Sequence, residues 1–205
     1  MSNMVVWPSP FLFWTEVENH EEIKKLLLPE IKKESKKEKY HTTPGKVHRK
    51  EGLVPQVWQC EVITSYFDAE ESKELLKKNL TTSVIQTALK KFYSDPNCPV
   101  ETKPKKHNLR DIWFNVYEPG YWQEEHMHNG STYSGIYLLE LNEENTTVFK
   151  YFSSSFKYSK FNNPVYETKH IKEGNIILFP SEFLHAVKPS INYKVSISFN
   201  LKCFF

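Results

Sequence analysis

The sequence predicts an α+β protein in which a helical first half covers one face of an antiparallel jelly roll built by the second half. Three observations carry this. Apolar residues recur at three- and four-residue steps only before about residue 95. Beyond about Asn108 the chain breaks into short alternating or continuous apolar runs between turn residues. No helix-length pattern separates those runs, which argues for an antiparallel sandwich or barrel and against βαβ units. A chain of 205 residues suits one domain, read as mainly helical support over 1–107 and a jelly-roll core over 108–205.

Taken in order, the first helix spans about His20 to Glu34, where Ile23, Leu26, Leu27 and Ile31 form one stripe. The lysine-rich stretch from Ile31 to Gly52 loses that periodicity and reads as a solvated loop, with a substrate-facing lid as the sharper alternative. A longer helix starts with Asp68 as N-cap and Glu70 and Glu71 in its first turn. It carries Leu76, Leu80, Val84 and Ala88 beside Leu75, Ile85, Leu89 and Phe92, and ends at Asp95-Pro96. The strand runs that follow are DIWFNVY, YSGIYLLEL, TVFKYF, VYETKHI, NIILFP, HAVKP and YKVSISFNLKCFF.

With 27 basic against 25 acidic residues, mostly interspersed, no whole-molecule field points to a polyanion, so nucleic acid is neither indicated nor excluded. Cys60, Cys98 and Cys203 are odd in number and far apart, which excludes a disulfide framework and a CxxC zinc knuckle and fits a reducing, cytoplasmic setting. Neither a signal peptide nor a membrane span is expected. The terminal Cys203-Phe204-Phe205 run calls for burial in the barrel or a homodimer contact.

A barrel of this size leaves one open mouth for a metal or small ligand. His126 and His128 are two residues apart, so in an extended segment both imidazoles reach one ion; as a pair alone they are more often exposed loop histidines. His185 follows a strand end and a short turn. It completes a facial set that leaves coordination positions for substrate and oxygen, the arrangement of non-haem iron. Lys194 and Ser196 alternate onto one face of the last strand, where a buried cation requires an anion such as a dicarboxylate. Glu124 and Glu125 are alternative sources of a carboxylate ligand. Trp113, Phe179 and Phe199 read as structural, as do Ser134 and Gly135.

His126-x-His128, His185 and Lys194-Val195-Ser196 in this order resemble the iron(II)- and 2-oxoglutarate-dependent dioxygenases, whose motif is His-x-Asp/Glu, a distal His and a later Arg or Lys before x-Ser. Asn115-Val116-Tyr117-Glu118-Pro119-Gly120 is similar to the Asn-x-Tyr-x-Pro-Gly of the AlkB-like members, and Tyr137 stands where prolyl-hydroxylase-like members carry a tyrosine. The pattern over nearly the whole chain looks like that of small 2-oxoglutarate oxygenases of phages and marine bacteria: Trp113-Phe114-Asn115, His126-x-His128, Ser134-Gly135-Ile136-Tyr137, GNIILFP with His185, and KVSISFN. The resemblance implies a double-stranded β-helix, cupin-like, with iron(II) on His126, His128 and His185. It implies 2-oxoglutarate bound through Lys194 and Ser196, with Tyr137, Tyr117 and Asn115 as further contacts, and a virus-encoded origin. Two departures stand out: His128 replaces the family's carboxylate and Lys194 its arginine, a point charge in place of a fork.

The reaction implied is hydroxylation of a peptide side chain or small metabolite with release of succinate and CO2, with nucleobases a further substrate class. Two rivals use the same scaffold. A three-histidine cupin-like enzyme without 2-oxoglutarate leaves Lys194 and Ser196 idle, and a non-catalytic metal-binding or interaction protein turns over no 2-oxoglutarate.

Overall fold

The computed structural model describes residues 11–43, 46–47, 60–67, 70–100, 103–142, 144–150 and 165–205. Its elements in chain order begin with β1 (Phe13–Glu16), α1 (His20–Glu34), a 3-10 turn (Glu38–Tyr40), β2 (His41–Thr43), β3 (Lys46–Val47) and β4 (Cys60–Thr64). Next come α2 (Glu70–Leu80), a π-helical turn (Thr81–Gln86) and α3 (Thr87–Ser94). The remainder is strands: β5 (Lys106–Tyr117), β6 (Trp122–His126), β7 (Tyr133–Leu141), β8 (Thr147–Lys150), β9 (Val165–Glu167), β10 (Asn175–Pro180), β11 (Leu184–Val187) and β12 (Lys194–Phe204).

The first helix spans the expected residues. Ile23, Leu27 and Ile31 are buried, whereas Leu26, read as part of the same stripe, is exposed. The second helical stretch is one path with a wide turn in its middle. Residues 81–86 take the π form, which absorbs the extra residue between Leu80 and Ile85 and keeps Leu76, Leu80, Val84, Ala88 and Phe92 in the core. Asp68, expected as the N-cap, lies outside the described residues, as does much of the lysine-rich segment. The described part of that segment corrects the reading of it as loop: β2 and β3 pair there, and β2 also pairs with β4.

Every strand pairing is antiparallel, in the order β1-β10-β7-β12-β5-β4-β6-β11-β8-β9. Strand β4 pairs with β5 on one side and β6 on the other, so the sheet curls there into two facing layers, the jelly roll of the double-stranded β-helix. Alternation then sorts side chains between two faces of the larger layer. Ile112, Phe114 and Val116 of β5 and Val195, Ile197, Phe199 and Leu201 of β12 join the core shared with the helices. Their neighbours Trp113, Asn115 and Tyr117, and Lys194, Ser196 and Ser198, turn into the barrel.

The first half therefore does more than cover the sheet, since β1 hydrogen-bonds to β10 and β4 closes the curl. The strands β1 to β4 have two to five residues, too short for alternation to announce them. At the chain end Cys203 is buried and Phe204 and Phe205 stay exposed. Among the described residues no helix is long and apolar enough to cross a membrane.

Candidate active site

Strand pairing brings the three expected histidines together. His126 ends β6 and stands directly opposite His185 of β11, and their ring centroids are 4.2 Å apart. His128 lies two residues on, where its backbone N–H donates to the Ser181 carbonyl at 2.8 Å. Its ring lies 5.1 Å from that of His185, with Nε2 to Nε2 at 3.3 Å. The ligand-capable atoms of the three residues all fall within 4.8 Å of one another. Around them, Phe149 and Phe179 pack on His185, and Trp113 packs on His128 with centroids 5.5 Å apart.

The protonation pattern suits a cation. Nδ1 of His126 contacts the Glu124 carbonyl at 2.8 Å and Nδ1 of His185 the Phe183 carbonyl at 2.9 Å. A carbonyl only accepts, so each Nδ1 carries the hydrogen and each Nε2 a lone pair. Burial lowers the pKa of all three, that of His128 to about 3 and that of His185 well below the usual imidazole value. His128 has no such Nδ1 bond among the described residues, so without an ion its Nε2–H can donate to His185 Nε2 at 3.3 Å, and a cation would take the place of that hydrogen. Nitrogens in adjacent positions around an ion at about 2.1 Å lie about 3 Å apart, close to the observed separation. Neither alternative carboxylate belongs to this cluster, and Glu125 is ion-paired with Lys150.

Deeper in the barrel Lys194 is 1% exposed. Its Nζ donates to Asn145 Oδ1 and Thr147 Oγ1, both at 2.9 Å, and lies 5.3 Å above the Tyr117 ring. Both acceptors are neutral, and among the described residues no carboxylate pairs with the ammonium. Burial alone pulls its pKa down to about 7. A buried cation satisfied only by neutral oxygens is a receptor for an anion, which fits a dicarboxylate reaching in from the imidazoles. Ser196 and Asn115 stand opposite each other in register, one step along from Lys194. Asn115 donates Nδ2 to Ser198 Oγ at 3.0 Å while its own Oδ1 is buried without a partner among the described residues. Tyr117 donates its hydroxyl to Gln123 Oε1 at 2.9 Å.

Tyr137 is placed elsewhere, a correction to its expected role. Ile136 and Leu138 of β7 face the barrel, so Tyr137 between them faces the helices, where its hydroxyl meets His20 Nδ1 of α1 at 2.7 Å. Conversely, the sequence reading passed over Asn145 and Thr147, the acceptors of Lys194, and took Trp113 as purely structural. The parity of Trp113 with Asn115 and Tyr117 was a usable signal for its inward face. The pairing that delivers Thr147 to Lys194 spans 47 residues and leaves no trace in sequence.

Residues 111–200 match the family described as "Putative 2OG-Fe(II) oxygenase". Among curated proteins none matches. Solved structures share the fold at low identity. The viral collagen prolyl hydroxylase of Paramecium bursaria Chlorella virus-1, in its 2OG complex, is 17% identical with a TM-score of 0.52, covering 95% of this chain and 97% of that one. A prolyl hydroxylase from Trichoplax adhaerens, complexed with a hypoxia inducible factor peptide fragment, is 15% identical with a TM-score of 0.58 over 94% and 83%. The non-heme alpha ketoglutarate dependent epimerase SnoN from nogalamycin biosynthesis is 12% identical with a TM-score of 0.62 over 94% and 78%.

Proposed function

We propose that this chain, whose residues 111–200 match the 2OG-Fe(II) oxygenase family, works with iron(II) and 2-oxoglutarate and hydroxylates a peptide side chain or small metabolite, releasing succinate and CO2. The observation that carries the reading is the pairing of two receptors in one barrel: three convergent neutral imidazoles and, deeper, a buried ammonium without a carboxylate. A three-histidine enzyme that ignores 2-oxoglutarate has no use for the second.

In this reading His126, His128 and His185 hold the metal, and their Nδ1 hydrogen bonds at His126 and His185 fix the ring orientation. Lys194 pairs with the far carboxylate of the cosubstrate, while Asn145 and Thr147 aim its Nζ. Ser196 and Asn115 line the path between lysine and imidazoles. Phe149, Phe179 and Trp113 exclude water around them. The bound iron and 2-oxoglutarate supply the oxidising power for the C–H bond, and the chain supplies orientation and a dry cavity. The fold neighbours that act on prolyl peptides support a peptide substrate. Three free cysteines support a reducing compartment, the cytoplasm, as the place of action.

The test is anaerobic titration of iron(II)-loaded protein with 2-oxoglutarate, reading the visible metal-to-ligand band that chelation produces. Wild type forms the band, and Lys194→Met requires roughly 10- to 100-fold more 2-oxoglutarate, the scale of one charge-assisted pair. Tight iron binding with no band in either protein would reject the reading in favour of the three-histidine alternative.

A further inference from the structure

The open end of the barrel carries side chains that the metal and cosubstrate leave unused. Asp111 precedes Trp113 by two residues on β5, so it stands one row nearer the opening, about 7 Å along the strand. Asn200 faces it in register and donates Nδ2 to Asp111 Oδ2 at 3.3 Å. Asn200 is itself fixed by Ser134, which donates to its Oδ1 at 2.7 Å and shares a 2.9 Å hydrogen bond with Ser181. Arg110 reaches the same Asp111 oxygen with Nε at 3.5 Å, while its Nη1 is turned to the Asn129 carbonyl and Ser131 Oγ. No described residue donates to Asp111 Oδ1, and the side chain is 32% exposed. One carboxylate oxygen, oriented from behind, thus remains open to the mouth.

The next row inward is aromatic. Trp113 packs on His128 and is met edge-on by Tyr66 at 4.8 Å, with Phe67 behind Tyr66 at 4.9 Å. Trp113 is 4% exposed and Tyr66 38%, so Tyr66 presents the aromatic face that a substrate entering beside His128 meets first. A carboxylate at the entrance with aromatic faces behind it favours an organic cation on an apolar stem. The Arg110 contact at 3.5 Å engages Asp111 Oδ2 and leaves Oδ1 for a second cation.

We propose that Asp111, Trp113 and Tyr66 form the primary-substrate subsite and that it takes an aliphatic side chain ending in an ammonium group, as lysine does. The inference rests on the oxygenase reading above and names its substrate class. The ammonium pairs with Asp111 at the rim, and the methylenes run along the aromatic wall, which places their C–H bonds over the imidazoles and keeps the charge one row away.

Calorimetric titration of the anaerobic protein loaded with iron(II) and 2-oxoglutarate tests this, with Nα-acetyl-lysine methylamide and its uncharged norleucine analogue as probes. The lysine probe binds about two- to fivefold more tightly than the norleucine probe, the scale of one partly exposed ion pair. Asp111→Asn, which keeps the shape of the side chain, removes that difference, and Tyr66→Ala weakens both probes several-fold. Equal binding of the two probes, binding of neither, or an unchanged preference in Asp111→Asn overturns the proposal. The visible band of the loaded protein is read in the same samples. Its absence in wild type counts against the oxygenase reading, whereas its presence without a lysine preference counts against this subsite alone.

Discussion

At the scale of single residues, Lys194 is the most consequential side chain because its environment opposes its charge. Its pKa in the folded protein, about 7, lies below that of a lysine in the unfolded chain. Between those values the unfolded state holds a proton that the folded state has lost. The stability of the metal- and cosubstrate-free protein therefore rises with pH from about 7 to about 10, with a slope from this group of up to about 1.4 kcal/mol per pH unit. Below pH 7 both states are protonated and the penalty is constant. Urea unfolding at pH 7, 8 and 9 measures the slope, and Lys194→Met lowers it by that amount relative to wild type. The lysine was legible in the sequence because a charge amid VSISF on a strand demands an explanation. Asn145 and Thr147 were not, because unremarkable polar residues acquire a role only when a distant strand arrives beside them. Tyr137 shows the reverse: a motif position suggested a contact that strand parity denies, with Ile136 and Leu138 claiming the barrel face.

At the scale of elements, Tyr137 ties the sheet to α1. It meets His20 Nδ1, and His20 Nε2 lies 3.3 Å from Glu173, which also binds Lys24. Tyr137→Phe costs about 1 kcal/mol in urea unfolding, one hydrogen bond, and leaves the 2-oxoglutarate dependence of the visible band unchanged. A loss of cosubstrate affinity in this variant would restore the role expected from sequence. Where β7 crosses β12, a methyl group on Gly135 would stand 2.1 Å from the Phe199 ring. Gly135→Ala therefore costs about 1–3 kcal/mol through forced repacking, seen as a lower urea midpoint. The longer strands were legible because nine or more residues of sustained apolar character leave few alternatives. β1 and β4 escaped because four or five residues satisfy several patterns equally. The π turn escaped because one extra residue shifts the phase of a helix without breaking its apolar face.

At the scale of the whole molecule, the three imidazoles that could hold a metal all lie in the smaller layer, on β6, β11 and the turn after β6, whereas Lys194 belongs to β12 in the larger one. Zinc, redox-inert, is a clean probe of the first group. At 100 times its dissociation constant it raises stability by about 2.7 kcal/mol, and in His185→Ala most of that gain disappears from the thermal midpoint. The direct register between His126 and His185 has a wider meaning. If β6 slid by one residue against β11, Glu125 would stand across from His185 and the imidazole of His126 would point out of the barrel. A misaligned chain is then blind to the ion. With an ion held by these three imidazoles, metal uptake during folding would act as an inspection of strand alignment, favouring chains whose two layers have met in order.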